Sequence, residues 1–209
     1  MFQIINPLVA KALNENNIKE LSNLYSKSSI NLLIVAGLFF LLININIEPF
    51  YNLMSNPSYG DAIWVVLMIS TSKLILMSFG CGPAILATAK FYKITLPFSI
   101  LMAIAVYFLN DILIDIYSIN GAALSTLIVV FIFTVLKILY IKFKLNISPY
   151  STNSIKVLAS ILVVYFLLNS FDLNLNNILE IAVNTFVISF LYLSIISVSY
   201  THLTLPTKA

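Results

Sequence analysis

The sequence predicts an all-α, polytopic membrane protein, and three observations carry that prediction. Of 209 residues, 60% are hydrophobic and only 9% charged, and the mean hydropathy is +1.01. A soluble domain carries about a quarter charged residues, so this chain could not cover its own surface in water. Six apolar segments, each near the roughly 20 residues that cross a bilayer as a helix, are separated by short polar breaks. Lysines and carboxylates gather at alternate breaks. The low Gly and Pro content, the apolar excess and the single cysteine, Cys81, exclude collagen-like, disordered and disulfide-rich classes. Eleven lysines without an arginine leave a net charge of +3, too dilute for a nucleic-acid footprint.

The first element, Met1–Ser28, has no apolar core behind a charged start and is not a secretory signal. Its opening Phe2–Val9 is too short to span, and Ala10–Tyr25 then mixes Lys, Glu and Asn with Leu13, Leu21 and Leu24. It reads as the end of an earlier transmembrane helix entering a cytoplasmic amphipathic segment, or as an interfacial helix. The six spans follow at Ser29–Ile47, Ala62–Leu86, Ile94–Ile112, Ile119–Ile141, Val157–Phe171 and Ile178–Val198. Barrel strands are short and alternate polar with apolar residues, whereas these segments are apolar all round, so they are helices. Lys11, Lys19 and Lys27, then Lys90 and Lys93, then Lys137, Lys142, Lys144 and Lys156 mark one side. Glu48 and Asp61, Asp111 and Asp115, and Asp172 and Glu180 mark the other. Lysine-rich loops stay cytoplasmic, which predicts an even number of spans with both termini inside. Residues 199–209, which include the only histidine, His202, lack the Ile/Asn bias of the rest and read as a non-native tail; the alternative is a short cytoplasmic tail.

Polar groups within the spans are the candidate functional residues. Lys73 lies near the middle of the long second segment, where a charge costs about 2.5–3.5 kcal/mol on insertion scales and is expected to face a wet cavity or a partner. Ser70, one turn earlier, shares its face (i, i+3), and the pair could attract an anionic group such as a phosphate. The other reading is a lysine paired with a carboxylate outside this chain. Gly80, Gly82 and Pro83 interrupt the same segment, because proline removes a backbone donor and glycine tolerates a bend; they are expected to act as a hinge or a packing kink. Pro97 falls near the start of the third span, where it costs little. Gly121 and Ser125 have a small-xxx-small spacing that allows close helix approach. Asp111 and Asp115 could bind a cation if the helix continues through them, although solvated loop carboxylates are the commoner case. Asn110, Asn169 and Asn184 are expected to form interhelical hydrogen bonds. Cys81 reads as a packing residue. No metal or cofactor is implied.

Two stretches carry a family resemblance. Asn6-Pro7-Leu8-Val9-Ala10-Lys11 resembles the "P-x-x-[AS]-[KR]" exit of a helix before a cytoplasmic loop. Asn110–Leu124 resembles "N-x-x-L-I-P-x-Y-G-I-x-G-A-A-L", with Asp115 in place of the Pro and Ser118 in place of a Gly, while Leu113-Ile114, Tyr117, Ile119 and Gly121-Ala122-Ala123-Leu124 keep register. Over most of residues 1–198 the chain is similar to the C-terminal half of bacterial polysaccharide (O-antigen or capsule) flippases, in the superfamily of the multidrug-and-toxin extruders. The resemblance implies a two-lobed transporter of which this chain supplies most of one lobe, the N-terminal lobe being absent. It implies an inner-membrane protein of polysaccharide biosynthesis and a polyprenyl-pyrophosphate-linked oligosaccharide as substrate. Translocation from the cytoplasmic to the outer leaflet would proceed by alternating access, with Lys73 attracting the pyrophosphate and no covalent chemistry. The competing readings are a multidrug antiporter, a non-transporting membrane subunit, and a membrane enzyme of polysaccharide synthesis. The enzyme would be expected to carry His, Arg or acidic clusters in sizeable loops.

Overall fold

The computed structural model describes residues 2–54, 62–88, 91–170 and 175–204, and among them every regular element is a helix. In chain order these are α1 (Phe2–Asn14), α2 (Ile18–Asn52), α3 (Ile63–Ser78), α4 (Gly82–Ala87), α5 (Tyr92–Tyr117), α6 (Ile119–Leu145), α7 (Thr152–Asn169) and α8 (Asn177–Thr204). Five of them, α2, α5, α6, α7 and α8, are long and apolar enough to cross a membrane, and α3 is a shorter apolar helix of 16 residues. The chain is an all-α multi-pass membrane protein.

The first span is the inner part of a much longer helix. At 35 residues, α2 is about 52 Å long, well beyond the roughly 30 Å of a bilayer core, so one or both of its ends stand in the interfacial layers or outside them. The segment Ala10–Tyr25 is not one amphipathic stretch. It breaks at Asn16, whose φ of 52° is a left-handed conformation that Asn tolerates. Asn17 then caps α2, its side chain accepting from the Glu20 amide at 3.1 Å. The apolar residues on either side of this turn are used at once. Val9, Ala12 and Leu13 of α1 pack with Leu21 and Tyr25 of α2, and with α4, the start of α5 and the end of α6, in one buried cluster. This cluster lies at the end of the molecule where Lys11, Lys19, Lys93, Lys142 and Lys144 are found. Lys90, Asp61 and Asp172 lie outside the described residues.

A second cluster joins α2 to α7 and α8. Leu33, Phe40 and Leu41 meet Val157, Ile161 and Val164 of α7 and Ile188, Tyr192 and Ile196 of α8. The Tyr192 hydroxyl donates to the Ile34 carbonyl at 3.0 Å. Gly37 makes room for this contact: a Cβ there would stand 2.5 Å from both Tyr192 Oη and Ile161 Cδ1. Helix α3 packs between α2 and α6, and α5 packs on α6. None of the residues of α5 is buried, so most of its circumference faces outward.

The predicted third-to-fourth connection is shorter than expected. Helix α5 continues through Asp111 and Asp115 to Tyr117, and Ser118, at φ 51°, alone separates it from α6. The two carboxylates therefore stand one turn apart on a helix, both exposed, rather than in a loop. Gly121 lets the hairpin close, because a Cβ there would collide with the Leu113 carbonyl group. Asn110 forms the interhelical hydrogen bond expected of it, accepting from Ser125 of α6, a residue read from its spacing only as a small one that allows close approach. Helix α7 begins five residues before the predicted Val157, behind a reciprocal Ser151–Ser154 capping box. Phe171, where its span was expected to end, lies outside the described residues. The backbone of α8 runs past Val198 to Thr204, through part of the stretch read as a tail; residues 205–209 and the His202 side chain lie outside the described residues.

Candidate functional site

Helices α2 and α3 line an open groove of about 700 Å³. Its walls are apolar, with Phe39, Phe40 and Ile43 on one side and Val66, Ile69 and Leu74 on the other. Lys73 is the one charged residue that lines it, and Ser70 the one other polar residue. Lys73 is exposed. The only ion pair among the described residues joins Lys11 to Glu15, so Lys73 has no carboxylate partner there. A cationic head on an aliphatic stem, set in an apolar groove, can hold an anion while its stem lies against hydrocarbon.

Lys73 lies on α3, the first and longer of the two helices into which the predicted second segment divides. The expected 25-residue span ends as a helix at Ser78, leaving Lys73 ten residues after the start of α3 and five before its end. That is about 15 Å from one end and about 8 Å from the other along the axis. Ser70 lines the same groove, but its hydroxyl is already engaged. Asn44 Nδ2 donates to Ser70 Oγ at 2.8 Å, and the Leu67 carbonyl and Asn44 Oδ1 lie 3.0 and 3.2 Å from it. Thr71 Oγ1 and Ser72 Oγ turn back onto the carbonyls of Leu67 and Ile69. The run Ser70–Ser72 is thus satisfied within α3 and by Asn44, and Lys73 faces the groove alone. Asn44 and Asn46 supply hydrogen bonds from α2 to α3 and α8, whereas Asn169 and Asn184 supply none between helices among the described residues. Asn46 Nδ2 reaches Thr185 Oγ1 at 3.4 Å, besides its own Leu42 carbonyl. Asn169 and Asn184 line a pocket at the far end of α7 and α8 instead.

The Gly80–Pro83 interruption is a break rather than a kink, and it is fastened. Helix α3 stops at Ser78, and Gly80 takes φ +59°, which costs an L-residue about 1–2 kcal/mol. Helix α4 restarts with Gly82, and Pro83 occupies its first turn, where a missing N–H costs nothing. A Cβ on Gly82 would overlap the Phe79 ring. The freed backbone groups go to α2: Ser29 Oγ donates to the Ser78 carbonyl at 2.6 Å, and the Cys81 amide donates to Ser28 Oγ at 2.9 Å. Ser78 Oγ lies 2.9 Å from Tyr150 Oη, which ties the same point to the α6–α7 connection. Buried polar backbone needs such partners where no water reaches. The sequence signal was present in the adjacent Ser28-Ser29, but their partners stand about fifty residues away and cannot be read from spacing. Cys81 is fully buried and unpaired, in keeping with a packing role.

The chain matches no protein-family model, no curated protein and no solved structure.

Proposed function

We propose that this chain forms most of one lobe of a flippase that carries a polyprenyl-pyrophosphate-linked oligosaccharide across a bacterial cytoplasmic membrane. The lysine-rich end of the bundle would face the cytoplasm. The reading is supported by the resemblance in Asn6–Lys11 and Asn110–Leu124, and one structural observation carries it further. Lys73 is an uncompensated cation in an otherwise apolar groove between two membrane helices. That arrangement suits an anionic amphiphile, whose phosphate would meet the ammonium while hydrocarbon covers the walls. With the hydrocarbon of lipid rather than water around the groove, such a pair would be several-fold stronger than in water. Binding has to be reversible for transport, and a single lysine without a bidentate arginine supplies attraction without a tight clamp.

Two competitors fit this groove less well. A cationic drug would be repelled by Lys73 and finds no carboxylate among the lining residues. An enzyme of polysaccharide synthesis would need an activated nucleophile or an acid–base pair, and the polar lining offers an amine and one engaged hydroxyl. The test is glycan export by the full-length protein in cells that depend on it. Lys73→Ala abolishes export at equal expression, and Lys73→Arg retains part of it. Export at the wild-type rate by the alanine variant removes the pyrophosphate role.

A further inference from the structure

The lysine-bearing end of the bundle holds a second cation inside a membrane helix. Lys137 lies on α6, whose last residue is Leu145, and so about 12 Å from that end along the axis. It is half-buried. The residues one turn before it face two different helices. Phe133 meets the Phe98 ring of α5, with centroids 6.4 Å apart, while Thr134 lines a small cavity with Leu74, Ile75 and Ser78 of α3. One turn after it, Tyr140 meets Phe98 as well, at 6.3 Å. Spacings of three, four and seven put Phe133, Lys137, Tyr140 and Lys144 on one face of α6, along its seam with α5. Among the described residues Lys137 has no hydrogen bond and no ion pair. Lys144 Nζ lies 5.9 Å from the exposed Phe143 ring and has no carboxylate partner either.

Helix length sets the depth of these charges. At 27 residues, α6 is about 40 Å long, roughly 10 Å longer than a bilayer core is thick. Shared between the two ends, that excess puts the hydrocarbon boundary about 5 Å inside Leu145 and the Lys137 backbone about 7 Å below it. A lysine stem of about 6 Å carries the ammonium back to the boundary, and Lys144 stands in the headgroup layer. Both charges therefore reach the level of lipid phosphates, with Tyr140, a residue type favoured there, between them. Helix α5 begins at the same level, Phe91 meeting Tyr140 at 6.3 Å. From there it runs deeper with no buried residue, exposing Leu96, Ile100, Leu101 and Ile104.

Depth and charge together select the ligand. A soluble anion would have to leave water to meet Lys137, whereas a lipid brings its phosphate to that depth and lays its acyl chains on α5. The carboxylates of α5, Asp111 and Asp115, stand at its other end. Glu15 pairs with Lys11, and Glu20 accepts from Asn17. With no carboxylate to offset the two lysines, a headgroup of net negative charge is favoured over a zwitterionic one, as in other basic pockets between membrane helices.

We propose that the α5–α6 seam binds an anionic phospholipid through Lys137 and Lys144. The site is independent of the Lys73 groove. It is tested on the full chain in detergent by titration with dioleoylphosphatidylglycerol, with bound lipid counted by native mass spectrometry. The expected result is saturable binding, at least about tenfold tighter than that of dioleoylphosphatidylcholine. Lys137→Gln/Lys144→Gln weakens it about tenfold, the loss of a charge-assisted hydrogen bond, and Lys137→Arg/Lys144→Arg retains it. Lys19→Gln/Lys156→Gln removes the same charge from α2 and α7 and leaves the affinity unchanged. So does Lys73→Ala, which separates failure here from failure of the phosphate reading. Glycerol 3-phosphate, a phosphate without acyl chains, does not bind saturably. The glutamine pair is required to melt with the wild type in the absence of added lipid; Lys144→Gln alone, at an exposed helix end, weakens binding and keeps the test decisive if the pair does not fold. Equal affinity for the two lipids, equal loss in the two glutamine pairs, loss in Lys73→Ala, or glycerol 3-phosphate binding as tightly as the lipid would each overturn the proposal.

Discussion

Replacing Gly80 by alanine tests the account of the broken helix. The substitution places a Cβ at φ +59°, which costs about 1–2 kcal/mol by itself. The same Cβ would stand 2.7 Å from the Ser29 amide nitrogen, 2.8 Å from Ser28 Oγ and 2.9 Å from Ser29 Cα. Two of those atoms are backbone and cannot rotate away, so α2 and the break must separate. Separation strains or breaks the Ser29–Ser78 and Cys81–Ser28 hydrogen bonds, at about 1 kcal/mol each. The sum is about 3–4 kcal/mol, which for a chain of this size lowers Tm by about 10 °C. The single buried cysteine provides the assay: in detergent, a thiol-reactive fluorophore reports the temperature at which Cys81 becomes accessible. Gly80→Asn separates the two causes. Asn tolerates the left-handed conformation but carries the same Cβ, so it recovers no more than about 1 kcal/mol. If Gly80→Ala melts within a degree or two of the wild type, the break is not held against α2 as described.

Other expectations follow from the same contacts. Ser28→Ala leaves the buried Cys81 amide without its acceptor and should cost about 1–3 kcal/mol, read by the same melting assay. Asn44→Leu removes the bridge to Ser70 and should cost under about 2 kcal/mol, as interhelical hydrogen bonds in membranes do; a larger loss would mean that Asn44 supports more than Ser70. In native vesicles Cys81 should resist a membrane-permeant maleimide until the protein is unfolded, and rapid labelling would contradict its burial. With Cys81 replaced by serine, cysteines introduced at Lys19 and at Glu48, near the two ends of α2, should label from opposite faces of the membrane; labelling of both from one face would mean that α2 does not cross it.

The fold was legible in the sequence to the extent that it depends on hydropathy. Apolar runs long enough to span a bilayer fold as helices because a single segment satisfies its own backbone there in no other way; five of the six predicted segments fall on one long helix each, as far as they are described, and the second falls on α3 and α4 with a turn between them. What hydropathy could not show is where such a helix stops being continuous. Residues 62–86 are uniformly apolar except for a few small and polar positions. The composition does not distinguish a bent helix from two helices joined by a turn, because the difference lies in whether a neighbour can satisfy the freed groups. Ser28 and Ser29 do so across α2, and they are ordinary residues in their own segment. The Asp111–Asp115 stretch failed in the opposite sense. Two carboxylates in five residues resemble a loop, yet α5 carries them on an outward face to a one-residue turn, closed by Gly121 against Leu113.

The candidate site follows the same division between local and remote information. Lys73 stands out in any hydropathy profile because one charge in an apolar run is conspicuous, and its lack of a partner in the groove gives that position a meaning the sequence could not. Ser70 was assigned to the same stripe by spacing, but a partner on another helix, Asn44, takes its hydroxyl. The Glu48–Asn52 and Glu180–Asn184 pairs show the converse. Each alone is a polar helix end of the kind every membrane protein carries, and the two line one pocket only because α2 and α8 pack side by side. That packing is set by Tyr192 and Gly37 several turns away. The small residue that lets α8 approach α2 therefore also sets the width of the polar pocket. Gly37→Leu, which would push α8 outward, should cost about 1–3 kcal/mol as an overpacked core position does, whereas Asn184→Leu, at the pocket and away from this contact, should leave the melting temperature within a degree or two of the wild type. A Gly37→Leu protein that melts with the wild type would overturn the close approach of Tyr192 and Ile161 to Gly37.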